Sequence, residues 1–284
     1  MNKSIVFYNS KAGKNGANGK DVLSEKLSGK SLEFFDVANG VNYKEILSDS
    51  DDSDDIYLVG GDGTINRFVN DTEGLDYKNK IYYYAFGTGN DFFHDIGGKE
   101  GEIVLINKYL KNLPTVEVNN KTYRFLNGIG YGIDGYCCEV GDKEKSEGKE
   151  NINYTSIAIK GLLFFYHPTN CTITVDGKTF QYKKVWLCPT MNGRFYGGGM
   201  MPTPNQDRLN KEGTVTSMLF YGKGKLKTLM VFPSIFKGEH VNHKEMVALH
   251  EGKDIHVKFD RPTALQIDGE TILGVSEYRV KSSR

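Results

Sequence analysis

Ile56-Tyr57-Leu58-Val59-Gly60-Gly61-Asp62-Gly63-Thr64-Ile65-Asn66 is the stretch whose reading decides the fold. Ile56–Val59 is a compact β-rich run that stops at a glycine pair. Ile65–Val69 follows with the spacing of a helix start. Strand, glycine loop and helix in direct succession make a phosphate-binding turn: glycines let the backbone come close to a ligand, and helix-opening N–H groups point at anions. Thr64 adds a hydroxyl. Asp62 fits a pure anion nest badly, because a carboxylate repels phosphate. It fits if it orients a metal or a ribose, or fixes the loop. A tight strand-to-helix turn capped by Asp gives the same pattern without any ligand.

The pattern repeats on both sides of this stretch. Ser4–Tyr8 reads as a buried strand, Lys20–Leu27 as a helix, Ser31–Val37 as a second strand and Tyr43–Leu47 as a short helix. Ile81–Phe86 is a further β-rich run before glycines. Such units favour a parallel α/β sheet with right-handed crossovers. Two more polar glycine loops then share the same context: Asn9-Ser10-Lys11-Ala12-Gly13 after the first strand, and Gly87-Thr88-Gly89-Asn90-Asp91 after Ile81–Phe86. Loops that follow parallel strands lie on one sheet edge, where ligands bind. Three of them together fit a nucleotide cleft better than three unrelated turns.

Beyond about Val118 the pattern changes to short alternating segments: Tyr123–Leu126, Cys171–Val175, Lys184–Pro189, Val215–Phe220, Asp254–Phe259 and Ala264–Ile267. Val175-Asp176-Gly177-Lys178 reads as a hairpin turn. An antiparallel β domain follows, with a helix at Leu226–Phe232. The reading is therefore α/β plus β. A Rossmann-like nucleotide-binding domain spans 1–118, with a C-terminal return at about 273–284, and an antiparallel β-sandwich spans 119–272.

Composition bounds the function. The 284 residues carry 36 Lys+Arg against 36 Asp+Glu, a net charge of zero that argues against a strongly basic nucleic-acid binder. With 38% hydrophobic and 25% charged residues the chain is globular rather than disordered. Cys137, Cys138, Cys171 and Cys188 form no CxxC pair, so neither a disulfide framework nor a four-Cys zinc site is expected. No run reaches the roughly 18 apolar residues of a membrane span, and the opening apolar run is too short for a signal peptide. The expectation is a reduced, cytoplasmic protein. The acidic run Asp49–Asp55 lacks EF-hand spacing and reads as a solvated loop.

Two familiar nucleotide motifs fail. A Walker A loop needs GxxxxGK[ST], but Gly19-Lys20 is followed by Asp21. Gly130-Tyr131-Gly132-Ile133-Asp134-Gly135 matches GxGxxG, yet Asp142–Glu150 is too charged and glycine-broken for the packed helix that should follow. The six residues read as a turn in the β domain. Near the C-terminus, Gln266-Ile267-Asp268-Gly269-Glu270 sets two carboxylates around a glycine after a strand-like run. Such a pair can hold Mg²⁺ or take a proton from a hydroxyl nucleophile, and it can equally be an exposed β-turn.

Taken in order, these segments resemble the diacylglycerol kinase catalytic-domain family, which includes bacterial lipid kinases and sphingosine kinases. Asn9–Gly13 is similar to its first motif, Gly60–Asn66 to its glycine loop and Gly87–Phe92 to its Gly-Thr-x-Asn-Asp-Phe motif. Gly197-Gly198-Gly199-Met200 with Pro204 and Gly213 resembles the glycine-rich β segment. Lys237-Gly238-Glu239-His240 and Asp268-Gly269-Glu270 complete the set. The glycine loop also occurs in NAD kinases and phosphofructokinases; the closing Asp-Gly-Glu points to the lipid-kinase branch.

The resemblance implies an ATP-dependent lipid kinase with its active site between the two domains. It implies ATP contacts from Asn9, Ser10, Lys11, Ala12 and Gly13, from Gly60, Gly61, Asp62, Gly63, Thr64, Ile65 and Asn66, and from Thr88 and Asn90. Glu270 would be the acid–base group, with Asp268 beside it. A structural Mg²⁺ would lie at Leu209, Glu212 and Thr214, with Glu212 where the family has Asp. Ser10 replaces the usual Pro and His94 the usual Arg, and no Thr follows the second strand around Asp36-Val37-Ala38. Lys11 and Lys14 are candidate phosphate partners. The lipid would be met at a membrane surface by transient peripheral contact, with Gly161–Tyr166 and Leu229–Phe232 as candidate apolar approaches that could equally be core. A homodimer, a kinase for a soluble alcohol or dinucleotide, and a catalytically silent nucleotide-binding protein remain open.

Overall fold

A computed structural model of the chain describes residues 3–13, 19–149 and 152–283. It divides into two compact units, Met1–Lys111 and Asn112–Arg284. In the first unit the strands are β1 (Lys3–Tyr8), β2 (Ser31–Asp36), β3 (Asp55–Gly60), β4 (Lys80–Ala85) and β5 (Ile103–Leu105). The helices are α1 (Gly19–Lys26), α2 (Tyr43–Ser48), α3 (Asp62–Asp71), α4 (Asp91–Asp95) and α5 (Asn107–Leu110). The sheet order is β2-β1-β3-β4-β5; the first four strands are parallel, and β5 runs antiparallel to β4 at the edge.

Strand β1 shows why the run has no polar face. Side chains alternate across a sheet. Val6 points into a cluster with Leu23 of α1, Tyr57, Val59 and Tyr84. Phe7 points the other way, 4.8 Å from the Tyr43 ring of α2 and 6.1 Å from Phe68 of α3. Both faces are covered, so both sets of residues must be apolar. The order 2-1-3-4 also places a topological switch point between β1 and β3, and the crevice outside their carboxyl ends is where ligands bind in such sheets.

The second unit contains β6 (Thr115–Val118), β7 (Lys121–Arg124), β8 (Gly128–Tyr131), β9 (Thr169–Val175), β10 (Lys178–Val185), β11 (Thr190–Met191), β12 (Val215–Phe220), β13 (Val247–Gly252), β14 (Asp254–Ile267) and β15 (Glu270–Lys281). Its helices are α6 (Ile133–Ser146), α7 (Tyr154–Lys160), which runs on into a π turn at Gly161–Phe165, and α8 (Lys225–Val231), which runs on into a 3-10 turn at Phe232–Lys237. All pairings are antiparallel. Strand β14 is the axis. Its first half pairs with β9 and its last three residues pair with β8, with a register shift between. A strand that changes partners at a bulge lets one sheet wrap around its own core. That core includes Ile129, Ile173, Leu219, Val257, Leu265 and Tyr278.

Two expectations are corrected. The C-terminal run does not return to the first unit. Asp268 and Gly269 have φ 46° and 97°, the mirror-turn geometry of a two-residue hairpin, so β15 must fold back along β14. Its far end pairs with β6, which draws Thr115–Val118 into the second sheet and moves the boundary to 111/112. The segment after Gly130–Gly135 is also a helix. Apart from Asp134 in its first turn, the charges of α6 lie toward solvent, while Ile133 and Cys137 are buried, with Tyr136 and Val140 packed beside them. The glycines serve packing: a Cβ on Gly135 would lie 1.9 Å from the Ala264 carbonyl oxygen, and one on Gly130 would overlap the Asp134 carboxylate. Protein atoms fill the space a dinucleotide would need.

Candidate nucleotide and acid–base sites

The loops Asn9–Gly13, Gly60–Thr64 and Gly87–Asn90 leave the carboxyl ends of β1, β3 and β4, three adjacent strands of the first unit. In the first loop the Asn9 carboxamide accepts the Lys11 N–H at 3.0 Å and the Asn9 carbonyl accepts the Ala12 N–H at 3.0 Å. The Ser10 N–H donates to Asp36 at the end of β2, 3.1 Å away. Asp36 also accepts from the Ala38 N–H and the Asn39 carboxamide. Slight burial works against its charge, but the hydrogen bonds from Ser10 and Ala38 and the nearby Lys11 ammonium outweigh it and hold its carboxyl below the usual range. Asp36 thus anchors the loop. Where the family resemblance implies a Thr after the second strand, this chain has Asp36 in that anchoring position. Lys14 lies outside the described residues.

The second loop explains Asp62. Its carboxylate accepts the N–H groups of Asp91 at 2.8 Å and Phe92 at 3.0 Å, the opening amides of α4. The carboxylate is a cap supplied from another strand end. It is needed because Asn90, the residue at the cap position, turns its carboxamide back on both the N–H and the carbonyl of Gly87. Asn90 takes φ 52°, a left-handed conformation Asn tolerates. Of the expected nucleotide contacts, Asp62 and Asn90 are therefore spent on the loops, and Ile65 is buried in the core. Asn66 is buried and receives the Asn70 carboxamide. Thr88 is exposed.

The glycines of these loops do different work. A Cβ on Gly87 would lie 2.5 Å from the Gly61 Cα, and one on Gly60 would lie 2.2 Å from the Thr64 hydroxyl. Gly87 is glycine because the Gly61 backbone occupies the space, and Gly60 because the Thr64 side chain does. Gly63 meets no protein atom within 4 Å. It sits in the first turn of α3, where Gly costs about 1 kcal/mol relative to Ala. Room over that turn is left for a group from outside. Beside it the Thr64 hydroxyl is buried and has no hydrogen-bond partner among the described residues. A buried hydroxyl without a partner is costly. Opening amides of α3, open space over Gly63 and a Thr64 hydroxyl with no partner among the described residues are groups that can receive an anion.

In the second unit, Asp268 and Glu270 have separate roles. The Asp268 carboxylate accepts three backbone N–H groups: Leu126, Asn127 at 2.8 Å and Gly128 at 3.0 Å. The same segment is gripped by buried Arg208, which donates to the Leu126 carbonyl and the Asn127 side chain, and by the Asn192 carboxamide. Gln266 accepts the Gly269 N–H at 2.7 Å and donates to Asp134 at 2.8 Å. The hairpin turn is thus held on both sides. Glu270, the next residue, is exposed, and its carboxylate carries no hydrogen bond among the described residues. Asp134 is half-buried, and the loss of water around its carboxyl pushes it up to about 6 against the Gln266 hydrogen bond. The Arg208–Asn127 and Gln266–Asp134 pairs had no local signal in the sequence: their members lie 81 and 132 residues apart.

The loop expected to hold Mg²⁺ does not fit the ion. The Thr214 carbonyl already accepts the Gln206 and Asn210 carboxamides, each at 2.9 Å, and Asn210 in turn accepts the Thr214 N–H at 2.9 Å. Magnesium needs oxygen donors, and amide NH₂ groups stand in that place. The Leu209 N–H is turned to Asp207, and Glu212 is exposed. No three His, Cys, Asp or Glu side chains converge among the described residues. The expected site at Leu209, Glu212 and Thr214 is an amide-closed loop.

Family models agree with this architecture. The diacylglycerol kinase catalytic domain matches residues 3–117, and the YegS C-terminal NAD kinase beta sandwich-like domain matches residues 127–280. The chain belongs to the diacylglycerol kinase catalytic-domain family. A protein of Staphylococcus aureus (strain JH9) named "Putative lipid kinase" is 26% identical over 261 residues, covering 88% of this chain and 81% of the relative. Two crystal structures from Bacillus anthracis (Sterne) titled as diacylglycerol kinases, one of them "putative", superpose with TM-scores of 0.67 and 0.63 at 19% identity. They cover 98% and 99% of this chain, and 93% and 94% of theirs, and share its fold. In this member of the diacylglycerol kinase family the signature Asp62 braces the loops.

Two predictions follow from the bonding of the carboxylates. If Asp62 is a brace, Asp62→Ala lowers stability by about 2–3 kcal/mol in urea unfolding with no nucleotide present. A change below about 0.5 kcal/mol would return Asp62 to a ligand role. For Asp134 the folded value of about 6 lies above the ordinary 3.8. Between the two the folded chain keeps a proton that the unfolded chain has lost. Stability therefore falls by about 3 kcal/mol as pH rises from about 4 to 6, and does not recover above it. Asp134→Asn removes that loss, measured by urea unfolding at pH 4 and 7.5; parallel curves for the two proteins would contradict the assignment.

Proposed function

We propose that this chain transfers the γ-phosphoryl group of ATP to a hydroxyl of a lipid such as diacylglycerol. The observation that carries the reading is the set of three loops at adjacent strand ends, with open space over Gly63 and the unpartnered Thr64 hydroxyl beside it. The lipid class is supported by the family and by the names of the relatives. The nucleotide is taken as MgATP, its metal arriving with the substrate. Phosphoryl transfer requires mainly positioning and neutralisation of charge on the phosphate oxygens. Backbone amides at the start of α3, the Thr64 hydroxyl and Lys11 supply these.

Glu270 is the base. It accepts the proton of the lipid hydroxyl as that oxygen bonds to the γ-phosphorus and the bond to the ADP oxygen breaks. A base must be free to take the proton and held where it is needed. Glu270 is free, and the turn that presents it is fixed by Asp268 and Gln266. Asp268 suits the base role less well, because three N–H donors favour its charged form and occupy its oxygens.

Glu270→Gln keeps size and polarity but cannot take a proton. It should leave the melting temperature and ATP affinity unchanged and cut turnover at least about a hundredfold. The assay is radiolabelled phosphate transfer from ATP to diacylglycerol, a sphingoid base, glycerol and NAD in parallel. Near-normal turnover in Glu270→Gln would remove the base assignment. Transfer to glycerol or NAD at the lipid's rate would replace the lipid reading with a soluble acceptor.

A further inference from the structure

The second unit displays apolar side chains where a polar surface is expected. Helices α7 and α8, with the turns that continue them, pack side by side over one core. Their inner residues Ile157, Leu162, Val231 and Ile235 are buried there. The Lys225 ammonium donates to the Leu163 carbonyl at 2.8 Å and ties the two segments together. Their outer residues are large and bare: Phe164 is 66% exposed, Phe165 63%, Leu226 75% and Met230 77%. Leu226 and Met230 are one helical turn apart, so they share the face opposite buried Thr228 and Val231. Ile159 and Phe236 extend the patch. Isolated exposed apolar residues need no explanation; a contiguous group marks an interaction site.

The surrounding charge names the partner. No acidic residue occurs from Asn153 to Val175 or from Thr214 to Gly238, while Lys160, Lys223, Lys225, Lys227 and Lys237 lie within those spans. Lys160, Lys227 and Lys237 are exposed. Acid reaches the margin through Glu245, 3.8 Å from Lys227, through Glu239 just beyond the second span, and through exposed Glu139 and Asp142 of α6, which packs against α7. A second copy is a poor occupant: a two-fold contact would set lysines against lysines. An anionic bilayer satisfies both halves of the pattern. Aromatic and aliphatic side chains enter the acyl boundary while flanking lysines remain at the headgroups.

We propose that the outer face of α7, α8 and their continuing turns, centred on Phe164, Phe165, Leu226 and Met230, docks the protein on an anionic lipid surface. This proposal rests on the lipid-kinase reading for its purpose, since a diacyl substrate resides in a bilayer, but vesicle binding is measurable without catalysis. Basic side chains near an anionic leaflet are drawn to it until salt screens them.

The test is co-sedimentation of the full chain, without nucleotide, with vesicles of phosphatidylglycerol and phosphatidylcholine and with phosphatidylcholine alone. Binding is expected to the anionic vesicles and to weaken with salt. Phe164→Ser with Phe165→Ser, and separately Leu226→Ser with Met230→Ser, should each lower partitioning at least about tenfold with unchanged melting temperature. Unchanged partitioning in both double variants overturns the proposal. So does wild-type self-association by light scattering that either double variant abolishes, because the face would then belong to a second copy. Phosphorylation of a dispersed short-chain diacylglycerol separates the two readings. A chain that phosphorylates it but ignores anionic vesicles overturns the docking face alone. A chain that binds vesicles through this face but phosphorylates no lipid supports the face and removes the kinase reading.

Discussion

The pair of hydrogen bonds from Asp91 and Phe92 to the Asp62 carboxylate is the constraint on which the strand-end loops of the first unit depend. Parallel strands deliver their loops to one edge but do not fix the loops to each other. Asp62 does so, by capping α4 from the glycine loop after β3. The backbones of Gly61 and Gly87 then come so close that no side chain fits between them. With the two loops pinned, the first turn of α3 is held open at Gly63. Asp36 performs the same service for Asn9–Gly13 at the end of β2. A carboxylate inside an anion site thus works through its backbone partners, which are themselves donors that would otherwise need an acceptor.

The second unit uses the same device for a different end. Asp268 collects three N–H groups from Leu126–Gly128, and Gln266 holds the Gly269 N–H, so the two-residue turn cannot shift. The free carboxylate of Glu270 is carried on a rigid support. Placing a reacting group within a few tenths of an ångström calls for this kind of packing behind it. Half-buried Asp134 extends the support through Gln266 into α6, at a cost that grows as pH rises through its shifted titration.

Local signals carried much of this into the sequence. The strand, glycine loop and helix at Ile56–Asn66, the repeated units around it and the Asp-Gly hairpins at 176–177 and 268–269 are all short-range patterns, and the fold follows them. The misses have physical causes. Charges on the outer face of α6 hid the apolar positions Ile133, Tyr136, Cys137 and Val140, because a helix on a surface is half polar. The C-terminal return failed although the Asp-Gly turn before it already required an antiparallel hairpin. The roles of Asp62, Asp134 and Arg208 depend on hydrogen-bond partners 29 to 132 residues distant, which only the fold brings together. The loop at Leu209–Thr214 was read through a family pattern, whereas carboxamides from Gln206 and Asn210 fill the oxygen positions an ion would need.

The central claim is that the strand-end loops of the first unit receive the nucleotide. Hydrogen exchange of the wild-type chain with and without MgATP addresses it residue by residue. The account predicts slowed exchange in peptides covering Asn9–Gly13, Gly60–Thr64 and Gly87–Asn90. Protection by MgATP confined to other segments, with these three unchanged, would contradict it.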